Sequence, residues 1–400
     1  MIAEGESEFV MVGRLHFHKA QQKQLYGFTG SVFGHFFCLF LMLFLPAVAV
    51  AQEWDPLVDR LAADGFSKEW LVTLFNRPQM QFNPSVMAVK MKTLYKNKFG
   101  DSSVRELQRR LAILGYKPGR ADGKTGAKTR KAIRWFQAAH GLTVDGRFSE
   151  QLLVMALKER NRAPTNVKIP PTKPGPLVYQ SIMTEERLME AKAFLAANQK
   201  ILLRLERHYG VPSEIAVGIL TVETRLGTYL GEESAFQTLA SMALCDHFNC
   251  VADAFKDEHL TKTKRRWIKR RTAQKARWAY GECKALLTYA LQSGRDPLTI
   301  PGSLYGAIGI AQFMPSQALR HGADGNGDGV VDLFVLDDAL FSMGNYLMSN
   351  GWRGSMRSRR KQRRAIYNYN HSTIYVNTVL AVADYLEEGR TVFMWDETGK

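Results

Sequence analysis

Apolar residues recur at intervals of three and four along most of the chain, a spacing that places them on one face of an α-helix. The pattern predicts helices over 53–98, with breaks at Gly65 and Pro78. It continues in a compact segment, 101–157, and resumes from residue 181 onward. We therefore expect a mainly α protein.

The segment YGVPSEIAVGILTVETRLG (209–227) predicts a buried helix with an acidic residue, Glu223, in its last turn. Its helical signals are Pro212 and Ser213 at the start, Ile215, Ile219 and Val222 at helical spacing, and Gly227 as a stop. The negative end of the helix dipole and apolar surroundings both favour the protonated carboxyl group. A carboxyl group with a raised pKa suits a general acid at a glycosidic bond. The simpler alternative is that Glu223 pairs with Arg225 or reaches solvent.

The first 51 residues predict an export signal. Basic residues precede the uncharged run VFGHFFCLFLMLFLPAVAVA, which ends in an Ala-x-Ala pattern. We expect a periplasmic or cell-envelope protein; an uncleaved signal that anchors the chain in the membrane is the alternative. An oxidising compartment permits a disulfide, and Cys245–Cys250 is the local candidate, with Cys283 left over.

The chain is strongly basic, with 54 Lys and Arg against 38 Asp and Glu and a formal charge of +16. Such a balance implies an anionic partner: nucleic acid, a membrane surface or an acidic polymer such as the cell wall. Two basic runs, 262–278 and 353–364, contribute much of the charge, although solvated faces or loops explain them more simply. Export and the scarcity of interleaved aromatic residues argue against nucleic acid.

Two later groups of residues are suited to sugar binding. The segment PLTIPGSLYGAIGIAQFMPSQ (297–317) is rich in glycine, and its Ser303 and Gln312 can hydrogen-bond a sugar or an amide. Tyr346, Tyr369 and Asn370 are aromatic and polar residues of the kind that line sugar sites. As isolated residues they would more often belong to a core.

The segment DGNGDGVVDLFVLDD (324–338) resembles an EF-hand-like calcium loop. Its oxygen donors are Asp324, Asn326, Asp328, the backbone carbonyl of Val330, and Asp332 at the ninth position. The twelfth position is Val335 instead of Glu, so Asp338 is the better late ligand. We expect a structural Ca²⁺, with a bare turn rich in Asp and Asn as the alternative, and no organic cofactor.

Residues 101–157 read LQRRLAILGY, then ADGKTGAKT, then FQAAHGLTVDG. This order resembles the small three-helix peptidoglycan-binding domain over its whole length, and the family implies a groove for the peptide or glycan of murein. The five prolines of 161–177 predict an extended linker behind it.

Four segments, taken in order, resemble the lytic murein transglycosylases of the membrane-bound lytic transglycosylase B family. They are YGVPSEIAVGILTVETRLG, GSLYGAIGIAQFMPS, DGNGDGVVDL with DDALFSMGNYL, and YNHSTIYVNTVLAVADYL. The resemblance implies a lysozyme-like helical catalytic domain. By position, it makes Glu223 the sole catalytic acid and base. It assigns substrate contacts to Ser303, Gln312, Tyr346, Tyr369 and Asn370, and the calcium loop to Asp324, Asn326, Asp328, Val330 and Asp338.

The resulting domain prediction has a binding domain inserted into a catalytic domain. Its parts are the signal at 1–51, an N-terminal helical part of the catalytic domain at 53–98, the peptidoglycan-binding domain at 101–160, the linker at 161–177 and the rest of the catalytic domain at 178–400. The chain departs from the family in its shorter basic stretch before the YN motif and in QFMPSQ, where QFMPSS is usual.

The function predicted is non-hydrolytic cleavage of the bond between N-acetylmuramic acid and N-acetylglucosamine, giving 1,6-anhydromuropeptides. One alternative is a hydrolytic muramidase, for which Asp246 or Glu232 would hold the water. Another is a non-catalytic wall-binding protein that acts through 101–160. Peptidoglycan is the expected partner in all three cases, and the sequence leaves open protein partners and whether cleavage occurs within chains or from their ends.

Overall fold

The computed structural model describes residues 46–169, 177–354 and 358–388. Most of the predicted export signal, residues 1–45, and part of the predicted linker, 170–176, lie outside the described residues. Within the described part the protein is built almost entirely of helices, which confirms the mainly α prediction. No helix of those three ranges combines the length and the apolar character needed to span a membrane.

The chain divides into two compact units. The first contains the described residues of 1–87, 176–250 and 272–400, and the second contains those of 88–175 and 251–271. Residues 53–87 thus belong with the C-terminal helices, whereas 88–98, predicted as part of the catalytic domain, fall in the second unit. The second unit is wider than the predicted binding domain because it also includes 88–100 and 251–271.

The first unit holds most of the helices and one short antiparallel pair of strands. The helices are α1 (Pro46–Ala63), α2 (Lys68–Phe75), the start of α3 (Ser85–Phe99), α7 (Glu185–Ala197), α8 (Gln199–Tyr209), α9 (Ser213–Thr224), α10 (Ala235–Leu244), most of α11 (Lys262–Ser293), α12 (Pro315–His321), α13 (Leu336–Ser349), α14 (Arg359–Tyr369) and α15 (Thr373–Glu388). Strands β1 (Glu233–Ser234) and β2 (Pro301–Gly302) pair with Glu233 opposite Gly302.

The second unit contains the three helices predicted between residues 101 and 157, namely α4 (Ser102–Ile113), α5 (Ala127–Ala139) and α6 (Glu150–Lys158). They enclose a core of Leu107, Leu111, Leu114, Tyr116, Ala132, Ile133, Phe136, Leu152, Leu153 and Ala156. The two Asp-Gly turns seen in the sequence are closed in the same way. Gln108 accepts a hydrogen bond from Gly123 N at 2.8 Å and donates to Asp122 at 3.2 Å. Gln137 repeats this with Gly146 at 2.8 Å and Asp145 at 2.7 Å.

Helix α9 is the most deeply buried element of the first unit, with ten of its twelve residues buried. Helix α15 packs along it at close range because α9 carries a glycine at the crossing point. A Cβ at Gly218 would lie 2.8 Å from the backbone oxygen of Val379. A larger residue would therefore push α15 away from α9.

Two local expectations need correction. Ser213 does not cap α9: the N-cap is Pro212, and the Ser213 hydroxyl donates to Glu206 at 3.3 Å. The apolar spacing of 365–386 predicts one amphipathic helix, but the structure has two, α14 and α15, interrupted after Tyr369 because Asn370 adopts an extended backbone. The basic run 262–278 lies within the long helix α11, and most of its Lys and Arg residues are exposed, in agreement with the solvated face considered from the sequence.

The cysteines pair as the sequence suggests. Cys245 and Cys250 form a disulfide with their Cα atoms 5.6 Å apart. Cys283 is a free, buried thiol, and burial raises its pKa to about 12. The thiol is therefore neutral and chemically unreactive at physiological pH.

Candidate active site

Helix α9 ends in a run of left-handed backbone directly after Glu223 and Thr224. Arg225, Leu226 and Gly227 have φ angles of 51°, 62° and 88°. Two of these three residues are not glycine, so the turn is strained and must be held by its surroundings. The hydroxyl of Thr224 provides that support, since it donates to Ile310 O at 2.8 Å and accepts from Gly227 N at 3.0 Å.

Glu223 is half-buried as a residue, and its carboxyl group is enclosed by protein. Desolvation raises its pKa to about 8, and the hydroxyl of Tyr375, which donates to Oε1 at 2.8 Å, opposes this shift. No aspartate or glutamate of the described residues contributes to the shift. Glu223 is therefore largely protonated at neutral pH, as the sequence argument anticipated from the helix end and the apolar setting.

The neighbouring cation, Arg225, does not pair with Glu223. Its guanidinium group binds the carboxylates of Glu190 and Glu186 on α7, the latter at 2.8 Å. The simpler alternative from the sequence, a Glu223–Arg225 ion pair, is therefore wrong. The arrangement holds the positive charge away from the carboxyl group, which keeps its pKa high.

The glycine-rich segment after β2 folds back on itself beside the end of α9. Ile308 bridges both Gly302 and Phe313 as isolated antiparallel pairs. Ser303 Oγ accepts from Ala307 N at 3.0 Å. Gln312 has a left-handed φ of 50°, and its side-chain amide donates to Gly309 O at 3.1 Å. The side-chain carbonyl oxygen of Gln312, Oε1, takes no part in that hydrogen bond.

A row of tyrosines connects this segment to α15. The hydroxyl of Tyr369 donates to Ala311 O at 2.6 Å, and its ring stacks on that of Tyr375 with centroids 6.4 Å apart. On the other side, the Tyr369 ring meets the edge of Tyr346 at 5.1 Å. Burial raises the pKa of Tyr369 and of Tyr375 well above its usual value, so both phenols stay protonated and act as hydrogen-bond donors.

Asn370 presents a polar atom without a partner. Its Oδ1 is buried and, within the described residues, accepts no hydrogen bond. Buried acceptors are almost always satisfied in folded proteins, because an unpaired one costs about 1–3 kcal/mol. A ligand N–H or O–H group would remove that cost, so Asn370 is a natural contact for a sugar amide.

The structure thus brings Glu223, Gln312, Tyr369 and Tyr346 together around the 308–313 segment. Ser303 lies at the beginning of the same folded-back segment, and its Oγ accepts hydrogen bonds from the backbone N–H groups of Tyr305 and Ala307.

Tyr375 was missed as a site residue in the sequence. It stands within the YNHSTIY motif, six residues after Tyr369, and nothing in that spacing indicates that its hydroxyl reaches α9.

The carboxylates considered as holders of a hydrolytic water lie elsewhere. Glu232 is exposed and accepts from the hydroxyl of Tyr229 at 3.1 Å. Asp246 is exposed and pairs with His247 at 3.1 Å. Neither bonds to Glu223 or Tyr375, so the structure gives no support to a two-carboxylate site.

The acidic loop at 324–338 is organised by its own backbone. Asp324 accepts from the N–H groups of Gly327 at 2.6 Å and Gly329 at 2.7 Å, and the bond from Gly329 is the main cause of its lowered pKa. Asp338 is completely buried and accepts from Gly325 N at 2.8 Å.

The carboxylate at the ninth loop position, Asp332, is bound to an arginine. Asp332 forms a bidentate ion pair with Arg295, at 2.6 and 2.8 Å. An all-oxygen donor set fits calcium in its chemistry. Among the described residues, however, no three Asp, Glu, His or Cys side chains converge closely enough to hold a metal.

Comparisons with known proteins agree with this geometry. The Transglycosylase SLT domain family matches residues 135–364, and the Putative peptidoglycan binding domain family matches residues 100–155. Membrane-bound lytic murein transglycosylase B of Escherichia coli K12 is 32% identical over 195 residues, which are 48% of this chain and 47% of that protein. The chain therefore matches about half the length of this curated relative.

Solved structures show the same fold at lower identity. The Escherichia coli lytic transglycosylase SLT35 in complex with bulgecin A aligns with a TM-score of 0.51 and 18% identity, covering 84% of this chain and 93% of that one. Its calcium complex aligns equally well, at 19% identity over the same coverage. The expectation of a helical, lysozyme-like architecture with a small helical binding domain is confirmed. Because the family match extends over more than half of its residues, the chain belongs to the Transglycosylase SLT domain family.

Proposed function

We propose that the protein is a lytic transglycosylase that cleaves the bond between N-acetylmuramic acid and N-acetylglucosamine in peptidoglycan. The observation that carries the proposal is the protonated carboxyl group of Glu223, which Tyr375 hydrogen-bonds and whose pKa no Asp or Glu of the described residues shifts. The names of the curated relative and of SLT35 support the same chemistry.

In the first step Glu223 acts as a general acid. Its proton passes to the glycosidic oxygen, and the bond from that oxygen to C1 of N-acetylmuramic acid breaks. A pKa of about 8 keeps the carboxyl group protonated before the step. Ordinary retaining glycosidases use a second carboxylate at this stage. Here the acetamido group of the sugar itself would stabilise the positive centre at C1.

In the second step the ionised Glu223 acts as a base. It takes the proton of the C6 hydroxyl, whose oxygen forms the new bond to C1, so the product is a 1,6-anhydro ring and no water is consumed. The hydrogen bond from Tyr375 stabilises the ionised carboxylate more than the neutral acid. Tyr375 is therefore a positioning residue that acts through Glu223.

The remaining predicted residues would bind the sugar. The unpartnered Oδ1 of Asn370 would accept from an acetamido N–H. Gln312 and Ser303 would contribute further hydrogen bonds from the 303–313 segment. The rings of Tyr346 and Tyr369 would supply apolar contact with the sugar faces.

Residues 101–160 would bind murein and hold the enzyme on its substrate. The match of residues 100–155 to a peptidoglycan-binding family supports this assignment. The enzyme would act in the periplasm or cell envelope after export by residues 1–51, with an uncleaved, membrane-anchored form as the alternative. A role in remodelling or turnover of the cell wall follows from the reaction.

Calcium would be a structural ligand of the 324–338 loop. The oxygen donors would be Asp324, Asn326, Asp328, the Val330 carbonyl and Asp338, and the calcium complex of SLT35 supports this. Bound Ca²⁺ stabilises the folded state by mass action, so it should raise the melting temperature. Asp338→Asn should abolish this rise. Asp337→Asn, which removes an adjacent carboxylate paired with Arg204, should retain it.

The product of murein digestion tests the proposal directly. We expect mass spectrometry to find anhydromuropeptides, one water lighter than hydrolysis products, with the wild-type protein and none with Glu223→Gln. Reducing-end muropeptides would instead identify a hydrolase. Retained murein binding without any product from the wild type would favour a non-catalytic wall-binding protein.

A further inference from the structure

The net positive charge of the chain lies in the second unit. Residues 88–175 and 251–271 contain 28 Lys and Arg but only 9 Asp and Glu, a formal charge of +19. The rest of the chain contains 26 basic and 29 acidic residues, a formal charge of −3. The first unit would hold the proposed catalytic site, so the overall basic character has no role in the proposed chemistry. The net charge therefore attracts an anionic partner to the second unit more than to the first.

One helix of the second unit is apolar on its exposed side as well as on its buried side. Residues 152–157 of α6 read Leu-Leu-Val-Met-Ala-Leu. Leu152, Leu153 and Ala156 enter the core, whereas Val154, Met155 and Leu157 are 48%, 38% and 48% exposed. A surface helix normally places polar residues on its solvent side, so this face is unusual.

The exposed side of α6 continues onto α4. Arg110 of α4 donates through Nε to Ala156 O at 2.9 Å, and its guanidinium group also binds Glu159 O. Ile113 stands one turn further along α4 and is 67% exposed. Residues three apart share a helix face, so Ile113 extends the apolar surface beside the end of α6. We call Ile113, Val154, Met155 and Leu157 the α6 patch.

Basic residues follow the α6 patch immediately. Lys158 is the last residue of α6, and Arg160 and Arg162 come directly after it; all three are exposed. The acidic residue between them, Glu159, is turned back onto its own unit: its carboxylate bonds to His140 at 2.7 Å and accepts from the backbone N–H groups of Arg160 and Asn161, so three exposed cations stand beside one carboxylate. The edge of the patch is therefore positively charged.

We infer that the α6 patch docks on a bilayer of anionic phospholipids, with its apolar side chains entering the boundary between headgroups and acyl chains and Lys158, Arg160 and Arg162 contacting lipid phosphates. An apolar helix face edged by Lys and Arg is the arrangement with which interfacial helices bind membranes. The charge of +19 on the same unit adds long-range attraction to the negative surface.

A lipid surface fits these observations better than murein or an acidic protein. Glycan and stem peptide offer hydrogen-bonding groups but no broad apolar surface to cover the α6 patch. A protein partner would need a complementary shape, whereas a fluid bilayer accommodates a convex patch of flexible side chains. Docking would hold the second unit at the membrane, independently of any leader sequence.

Vesicle flotation with the full chain tests the inference. Vesicles of phosphatidylcholine alone would be compared with vesicles that contain about 30% phosphatidylglycerol, at low and high salt. The variants are Lys158→Gln/Arg160→Gln/Arg162→Gln and Val154→Ser/Leu157→Ser. The matched control is Arg360→Gln/Lys361→Gln/Arg364→Gln, which removes the same charge from exposed positions of α14 in the first unit. Circular dichroism would verify that each variant is folded.

Each cation near an anionic membrane contributes about fivefold to partitioning, so the basic variant should bind phosphatidylglycerol vesicles about 100-fold more weakly. The apolar variant should lose about tenfold, and the α14 control should bind like the wild type. The apolar run before residue 52 is common to all four proteins, so differences among them report on the second unit. Equal partitioning of the wild type and both α6 variants, or equal loss in the α14 control, would overturn the inference.

Discussion

The hydroxyl of Tyr375 donates a 2.8 Å hydrogen bond to Oε1 of Glu223, and 152 residues of sequence separate the two. The bond joins the C-terminal end of α9 to the first turns of α15. It favours the ionised carboxylate in a site whose desolvation favours the neutral acid. The pair can therefore support both protonation states that a single acid and base must adopt.

Tyr375→Phe should slow catalysis and change its pH dependence. Loss of the hydrogen bond removes about 1.5–3 kcal/mol from the ionised state of Glu223, so kcat should fall about 10- to 100-fold. The pKa of Glu223 should rise above about 8, and the alkaline limb of the rate profile should move upward with it. Release of soluble muropeptides measured from pH 5 to pH 10 gives both quantities.

Tyr346→Phe is the control for that experiment, because it removes a hydroxyl from the same row of tyrosines. That hydroxyl donates its hydrogen bond to Asn368 O at 3.2 Å instead of to Glu223. The alkaline limb should stay in place for this variant. A Tyr375→Phe enzyme with reduced kcat but an unmoved alkaline limb would mean that Tyr375 acts only in packing.

Glu223→Gln should stabilise the folded protein above pH 5. The folded pKa of about 8 lies above the ordinary glutamate pKa of 4.5, so between these two pH values the folded state binds one more proton than the unfolded state. Stability therefore falls as the pH rises from 4.5 to about 8 and then levels off. The cost of burying Glu223 at pH 7 is on the order of 2–3 kcal/mol.

Thermal unfolding at pH 4.5, 6, 7 and 8.5 measures this effect without reference to catalysis. The melting temperature of Glu223→Gln should match the wild type at pH 4.5 and exceed it progressively at higher pH. Glu232→Gln changes an exposed carboxylate and should give no such divergence. Parallel curves for Glu223→Gln and the wild type would show that the pKa of Glu223 is not raised.

Asn370→Ala should weaken binding of murein fragments that are too short to be cleaved. Loss of the buried acceptor removes a hydrogen bond of about 1 kcal/mol to the ligand, so the Kd should increase about five- to tenfold. Asn370→Asp retains an acceptor oxygen and should lose less. Calorimetric titration distinguishes these cases, and identical affinity of the wild type and the alanine variant would remove Asn370 from the sugar site.

Gly218→Ala should destabilise the first unit and displace Tyr375. The new methyl group would lie 2.8 Å from Val379 O, so α9 and α15 would have to separate, at a cost of about 1–3 kcal/mol. Gly281→Ala is the matched control, because Gly281 is also within a helix and a Cβ there meets nothing within 4 Å. That substitution should be neutral or stabilising by up to about 1 kcal/mol.

Chemical denaturation together with the pH–rate profile separates the two glycine variants. Gly218→Ala should lower the free energy of unfolding and also shift the alkaline limb, because Tyr375 moves with α15. A Gly218→Ala protein as stable as the wild type would show that α15 adjusts without separating from α9.

Much of the helical architecture could be predicted from the spacing of apolar residues and from the glycine and proline residues that end helices. The helices of the second unit and the break at Gly65 depend on interactions between residues a few positions apart, and such interactions can be predicted from the sequence. The raised pKa of Glu223 was also foreseeable, because an apolar helix that ends at a carboxylate disfavours the charge. The division of 365–386 was missed, because Asn370 leaves the helical backbone without a proline or glycine to signal it.

The tertiary structure alone decided which distant groups meet. Tyr375 reaches Glu223 because Gly218 lets α15 approach α9, and no local spacing encodes that contact. Arg225 pairs with Glu190 and Glu186 because α7 lies beside the end of α9, although Glu223 is closer in sequence. Sequence fixes propensities over short distances, whereas the choice among possible partners for a charged or polar group depends on which elements pack together in three dimensions.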